Sequence, residues 1–235
     1  MTTVDLNADL GESEQRWATG EDVALLDIIT SANVCCGAYA GTLRLIRETC
    51  AADVARGVVI GAQVGYPDRA GFGRAPYETS SADLTDEIAR QVSLLASIAH
   101  AVGGSVAYVK PHGALYNRIA DDEVQAAAVV AAVSGLPLMG LPGSTSLRLA
   151  EAAGLPTIAE GFADRAYTAS GRLVPRSEPG AVLSDPRDVG AQAVALLGSV
   201  ESICVHSDSP DAVTLARAAR EALEAAGATV QSTLR

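Results

Sequence analysis

Seven short runs of β-branched and other apolar residues recur along the chain, each followed by polar or glycine-bearing residues and then by a helix-like stretch. The runs are Val4 to Ala8, Ala32 to Cys36, Val58 to Ala62, Ser105 to Val109, Leu136 to Leu141, Pro156 to Ala159 and Ser202 to Val205. The helical patterns cover Asp22 to Ile29, Leu43 to Arg56, Asp83 to Val102, Glu123 to Val133, Ser146 to Ala153, Pro186 to Leu197 and Asp211 to Ala225. Repeated βα units of this kind predict a mostly parallel sheet covered by helices. Ala228 to Gln231 predicts a short last strand.

An open doubly wound sheet and a closed barrel both satisfy that alternation. The barrel is favoured because polar, chemically capable residues follow nearly every run: Asn7 and Asp9, Gly37 to Tyr39, Gln63, Lys110 and His112, Ser144, Glu160, and His206 with Asp208. A barrel brings such strand ends to one rim, whereas an open sheet leaves those of its edge strands far from the ligand crevice. No Pro/Gly/Ser linker divides the 235 residues, so one domain over 1–235 is expected. Apolar residues make up 49% of the chain and aromatics 4%, which leaves Ala, Val, Leu and Ile to fill a core suited to a buried parallel sheet. Two long connections, Gln63 to Ser81 and Glu160 to Asp185, carry Gly, Pro and Arg and read as functional loops.

The balance of 28 acidic against 17 basic residues gives a net charge of -11, and no Lys/Arg cluster or aromatic-interleaved basic stripe is present. Nucleic acid is therefore not expected as a partner. The start Met-Thr-Thr-Val-Asp-Leu-Asn has neither a basic nor an apolar leader region, and no apolar run is long enough to cross a bilayer, so a cytoplasmic protein without membrane contact is expected. Cys35, Cys36, Cys50 and Cys204 follow no C-x-x-C spacing and read as buried free thiols.

Lys110 is the only lysine, in Tyr108-Val-Lys-Pro-His-Gly-Ala-Leu-Tyr-Asn117, two residues before His112. The chain uses arginine for its other non-histidine cations, so position 110 selects the compact amine, which can aim three donors at one oxygen and can lose its proton. Lys110 and His112 share a strand face, and such a pair can polarise a carbonyl, stabilise an oxyanion or shuttle a proton; a lysine paired with a buried carboxylate is the structural alternative. In the first strand, period-2 alternation puts Asp5, Asn7 and Asp9 on one side. His206 sits at a strand end like His112, while His100 near a helix end reads as structural. Gly140-Leu-Pro-Gly-Ser-Thr-Ser146 places Ser144 at a helix start that could hold an anion. The loop Glu160-Gly-Phe-Ala-Asp-Arg-Ala-Tyr167, continuing to Arg172 and Arg176, allows either solvated salt bridges or a grip on an anionic substrate by Arg165 or Arg176.

Together, DLNADLGE at 5, LLDIITSANVCCG ending at 37, GAQVGYPDRAGFGR ending at 74, VKPHGALYN at 109, GLPGS at 140, EGFADRAYTASGRLVPRSEPGA at 160 and VHSD at 205 resemble the family of 5-oxoprolinase A subunits, also called the LamB/YcsF family. The resemblance implies an irregular (β/α)7 TIM-like barrel of the glycoside hydrolase/deacetylase type. It implies ATP-dependent opening of the 5-oxoproline lactam to L-glutamate with partner subunits B and C, with ATP as co-substrate together with Mg; a homo-oligomer is compatible with it. The residues that match are Asn7, Asp9, Glu12, Asn33, Lys110, His112, Asn117, Glu160, Asp164, Arg165, Arg176, His206 and Asp208. Family members usually carry CGFHAGD where this chain has Cys36-Gly-Ala-Tyr-Ala-Gly-Thr42, and histidine where it has Gln63; tyrosine and glutamine are poor transition-metal ligands, so no bound transition metal is expected.

The resulting expectation assigns catalysis to Lys110, His112, Asp9 and Glu160, and substrate contact to Asn7, Asn33, Tyr39, Gln63, Asn117, Ser144, Arg165, Arg176 and His206. Lys110 would stabilise the phosphorylated or oxyanionic oxygen, His112 or Asp9 would handle the proton, and Arg165 or Arg176 would hold a carboxylate. The competing expectations are a homologue that binds a small acid or a partner without turnover, and a metal-dependent carbohydrate deacetylase-like hydrolase.

Overall fold

The computed structural model describes residues 2–232 and 234. Seven parallel strands close into a barrel: β1 (Thr3–Leu10), β2 (Ser31–Cys35), β3 (Val59–Val64), β4 (Val106–Pro111), β5 (Leu138–Gly140), β6 (Thr157–Phe162) and β7 (Ser202–Cys204) pair in sequence order, and β1 joins β7 to β2. Each strand runs the same way because helices carry the chain back outside. The helices are α1 (Glu14–Thr19), α2 (Glu21–Leu26), α3 (Leu43–Arg56), α4 (Ser81–Ala101), α5 (Gly113–Arg118), α6 (Glu123–Ala132), α7 (Thr145–Ala152), α8 (Pro186–Leu196) and α9 (Ala212–Ala225). A further strand, β8 (Thr229–Val230), pairs in parallel with Thr3 and Val4 at the start of β1. No helix among the described residues is long and apolar enough to cross a membrane.

Local chemistry sets the helix starts. Thr42, Ser80, Asp122 and Ser144 are N-caps whose side-chain oxygens accept from the backbone N–H three residues on, each contributing about 1 kcal/mol. Gly57 ends α3 at φ 69, a left-handed conformation open to glycine. Strand alternation then divides the core in two. Leu6, Ala8 and Leu10 of β1, with Val34, Ile60, Ala62 and Val64, point outward and pack under the helices against Ile46, Ile88, Leu95, Val129 and Leu215. Removing such side chains from water supplies most of the driving force for closing the barrel.

The inward face is polar, although strand residues on both faces are buried. Asp5 accepts from Thr30 Oγ1 at 2.7 Å, Ser31 Oγ at 2.6 Å and Ser202 Oγ. Asn7 accepts from Asn33 Nδ2 at 2.7 Å and donates to Ser202 Oγ at 2.7 Å and Glu160 Oε1 at 3.1 Å. Tyr108, Met139 and Ile158 fill the layer beneath Lys110. Gly61 makes room for them, since a Cβ there would lie 2.2 Å from the Tyr108 ring.

This polar lining corrects the expected strand ends. Gln63, Lys110 and Glu160 lie inside β3, β4 and β6 rather than beyond them, because their polar groups find partners within the barrel and the ladders continue. Helix α3 begins and ends where its pattern predicts, and β8 falls within the predicted last strand. The short helices α1 and α5 are additional; six residues with little apolar periodicity give no signal in a sequence. The four cysteines are buried and free.

Candidate active site

A cavity of about 530 Å³ opens at the carboxyl ends of the strands. Asp9, Gln63, Lys110, His112, Phe162 and His206 form its lower part, and the loops after β3, β4 and β6 raise its walls. Of the expected site residues, Asp9, Gln63, Lys110, His112, Asn117, Arg165, Arg176 and His206 line this cavity. Asn7, Asn33, Glu160 and Tyr39 lie just behind it, fully or almost fully buried. Ser144 does not reach it: its hydroxyl caps α7 and meets Ser146 Oγ at 3.0 Å.

Lys110 is the centre of the floor. Its Nζ lies 2.6 Å from Glu160 Oε1, 3.2 Å from Asn7 Oδ1, 3.2 Å from Cys204 Sγ and 3.4 Å from Asp9 Oδ1. Burial opposes its charge, but the Asp9 and Glu160 carboxylates outweigh that and hold its pKa well above the lysine range. These carboxylates hold Lys110 as an ammonium. Burial likewise works to raise Asp9, yet Lys110 and the two histidines hold its carboxyl well below the usual range. Glu160 goes the other way, raised by burial more than Lys110 lowers it. Its Oε2 and the Tyr116 hydroxyl are both buried without a hydrogen-bond partner among the described residues, and Tyr116 too works to lower the carboxyl.

The two rim histidines differ. His112 Nδ1 lies 3.2 Å from Gln63 Nε2, and its Nε2 lies 3.0 Å from the Phe72 carbonyl. A carbonyl only accepts, so Nε2 carries the hydrogen and Nδ1 accepts from Gln63. The ring also stacks on Tyr39 at 4.0 Å. Burial lowers its pKa to about 4, so it is neutral at pH 7 with both nitrogens occupied. His206 instead sets Nδ1 at 3.0 Å from Asp164 Oδ1, stacks on Phe162, and leaves Nε2 without a partner among the described residues on the cavity wall. Asp164 also accepts from the His206 backbone N–H and Ser209 Oγ. Burial would raise this carboxyl, but the His206 charge and hydrogen bonds, with Arg176, lower it.

The mouth is cationic. Arg74 and Arg176 meet Asp208 at 2.5 and 3.4 Å, and Arg165 stands beside them, tied to the Val174 and Ala181 carbonyls at 2.6 and 3.2 Å. Burial and the neighbouring Arg176 push Arg165 down to about 10, still charged at pH 7. Three guanidiniums against the Asp208 and Asp164 carboxylates favour an anion in an otherwise acidic protein. Arg118 and Arg172, which also line the cavity, are matched by Asp122, Glu78 and Asp121.

A sequence model of the LamB/YcsF family matches residues 4–235. The chain belongs to the LamB/YcsF family. It is 51% identical to the 5-oxoprolinase A subunit of Streptomyces griseus subsp. griseus, over 97% of this chain and 99% of that one. Among solved structures it is similar to a lactam utilization protein from Thermus thermophilus, with a TM-score of 0.90 and 37% identity over 97% of this chain and 99% of the other. A family 4 carbohydrate esterase from Streptomyces lividans shares the fold, with a TM-score of 0.52 and 13% identity over 97% of this chain and 91% of that one.

The deacetylase-like alternative raises the question of a metal. In this LamB/YcsF chain Asp9, Glu12 and His112 bring one ligand-capable atom each within 4.8 Å of one another. The donors do not suit a transition metal: His112 Nδ1 is taken by Gln63, Asp9 lies against the Lys110 ammonium, and tyrosine and glutamine complete the rim.

Arg74 and Tyr116 line the cavity and Phe72 holds His112 through its carbonyl, and sequence reasoning singled out none of the three. Phe72 adopts φ 56, unusual for a bulky side chain. The arginine-rich connection after Gln63 was the available signal for Arg74.

Proposed function

We propose that this chain is the A subunit of an ATP-dependent 5-oxoprolinase that opens the 5-oxoproline lactam to L-glutamate in complex with subunits B and C. The observation that carries this reading is a buried, permanently charged Lys110 at the floor of a cavity whose mouth holds an excess of arginine charge. A five-membered lactam is a stable amide, and phosphorylation of its oxygen by ATP, used as co-substrate with Mg, makes the ring carbon electrophilic. An ATP-consuming reaction of this kind belongs in the cytoplasm.

Lys110 stabilises the oxygen on which negative charge collects, from a site where burial strengthens the interaction. Asp9 and Glu160 keep the lysine charged and aimed rather than moving protons themselves. Arg176, Arg165 and Arg74 receive the ring carboxylate and the phosphoryl group, for which forked donors suit planar anions. His206, with Nδ1 fixed by Asp164, presents Nε2 to the water and accepts one proton from the hydroxyl that the water becomes.

The test is glutamate release from 5-oxoproline and MgATP by this chain with and without subunits B and C. Release that needs all three supports the reading; binding of 5-oxoproline without turnover in any combination overturns it. Lys110→Arg keeps the charge but cannot place one nitrogen among four acceptors, and it should lower turnover on the order of 100-fold. Full activity in that variant would remove Lys110 from the mechanism.

A further inference from the structure

Glu12 stands at the rim beside Asp9, with no place in the steps above. Strand alternation ends at Gly11, whose φ of 74 turns the chain, and the Glu12 carboxyl lies beside Tyr39, Asp9 and His112. Its side chain is 5% exposed, its Oε1 lies 3.1 Å from the Tyr39 hydroxyl and 3.8 Å from His112 Nδ1, and its carboxyl is within 4.8 Å of Asp9. Oε2 has no hydrogen-bond partner among the described residues.

The hydrogen-bond chain through Tyr39 has a fixed direction. The Phe72 carbonyl makes His112 Nε2 a donor, so neutral His112 accepts at Nδ1 from Gln63 Nε2. Gln63 then turns Oε1 to Tyr39, whose single hydroxyl proton is given to it at 2.6 Å. Tyr39 has no proton left for Glu12. The 3.1 Å contact is a hydrogen bond only when Glu12 itself donates, as a carboxylic acid. The charges facing Glu12 agree: burial, Asp9 and Asp208 raise its pKa well above the carboxylate range, against smaller opposing effects from Tyr39 and Arg74. Two neighbouring carboxyls are thus split, Asp9 ionised by Lys110 and Glu12 neutral, the pattern that separates acid from base roles.

Resting on the lactam-opening reading, we propose that Glu12 is the general acid that protonates the ring nitrogen as the C–N bond breaks. Water adds to the phosphorylated imidate to give a tetrahedral carbon bearing a hydroxyl, the phosphoryl oxygen and the ring N–H. The hydroxyl proton passes to His206, the new C=O forms, the C–N electron pair stays on nitrogen, and the Glu12 proton completes the amine. The product is an acyl phosphate, which water hydrolyses to glutamate and phosphate; solvent then reprotonates Glu12 and deprotonates His206. Without the acid the same adduct expels its better leaving group, phosphate, and the lactam is regenerated. Glu12 therefore decides whether ATP cleavage yields glutamate.

The experiment measures phosphate and glutamate released by the complete three-subunit complex carrying Glu12→Gln. The amide can still donate to Tyr39, so a merely structural role survives the change. Expected is a fall in glutamate formation on the order of 100-fold, while ATP cleavage dependent on 5-oxoproline persists and the phosphate-to-glutamate ratio climbs at least tenfold. A wild-type complex that makes glutamate, beside a variant whose ratio is unchanged, overturns the acid role alone. A wild-type complex that makes none overturns the lactam reading, and this role with it. Infrared spectra of the full chain at neutral pH should also show a protonated-carboxyl C=O band that Glu12→Gln removes; no such difference overturns the proposal.

Discussion

His112 and His206 occupy equivalent places, each just past the end of a barrel strand and each stacked on an aromatic ring, yet their surroundings give them different chemistry. His112 is held by neutral partners, an amide on one side and a backbone carbonyl on the other. His206 is held on one side by a carboxylate and is open on the other. The comparison teaches that position at the rim does not make a base; the identity of the partner does, because a carboxylate stabilises the imidazolium that forms when the ring takes a proton, whereas an amide N–H aimed at the ring does not. His112 is better described as the clamp for the loop after β3. It fixes Phe72, and through it the backbone that brings Arg74 to Asp208.

The contrast breaks most directly at His206. His206→Gln should lower glutamate formation by the complex on the order of 1000-fold, and Asp164→Asn by a smaller factor, since the amide cannot stabilise the charged ring. If His112→Gln were the more damaging change in kcat, the roles would be reversed. The clamp predicts a different signature for His112→Gln. Losing one buried hydrogen bond, worth about 1 kcal/mol, should loosen the Arg74 loop and raise KM roughly fivefold while kcat changes much less; an unchanged KM would detach the loop from the site. A further effect is on stability. A histidine depressed from 6.5 to about 4 in the fold contributes stability that is full above pH 6.5 and is lost as pH falls through 4, because the unfolded chain binds the proton first. The loss is on the order of 3 kcal/mol at about 1.4 kcal/mol per unit. Denaturant titrations between pH 7 and pH 4 should give a shallower decline in His112→Gln than in the wild type, and equal declines would show that His112 titrates normally.

Much of the fold was legible in the chain because βα alternation is a local property: seven strands in order, the limits of α3 and the final β8 follow from nearby residues. The polar barrel interior was only half legible. Asp5, Asn7 and Asp9 announce themselves by spacing, but their partners Ser31, Asn33, Glu160 and Ser202 come from other strands. For the same reason the site residues could be named but not ranked. Nothing adjacent to His112 reveals Gln63 or Phe72, and nothing adjacent to His206 reveals Asp164, since those contacts exist only once the barrel closes. Ser144 shows the opposite failure, a helix-start serine whose local capping role is its whole role.

Strand β1 pairs with β2, β7 and β8, so the partners of the first residues are spread over nearly the entire length of the chain. On a ribosome, β1 emerges before its partners and waits. Until Ser202 and Thr229 have left the exit tunnel, the hydrogen bond from Asn7 to Ser202 and the ladder to β8 cannot form, and the partly made barrel carries an open edge beside buried-type polar groups. Translation that stalls before β7 and β8 have emerged should therefore yield a nascent chain that chaperones hold and proteases cut, whereas emergence of β8 lets the ring of strands shut in one cooperative event.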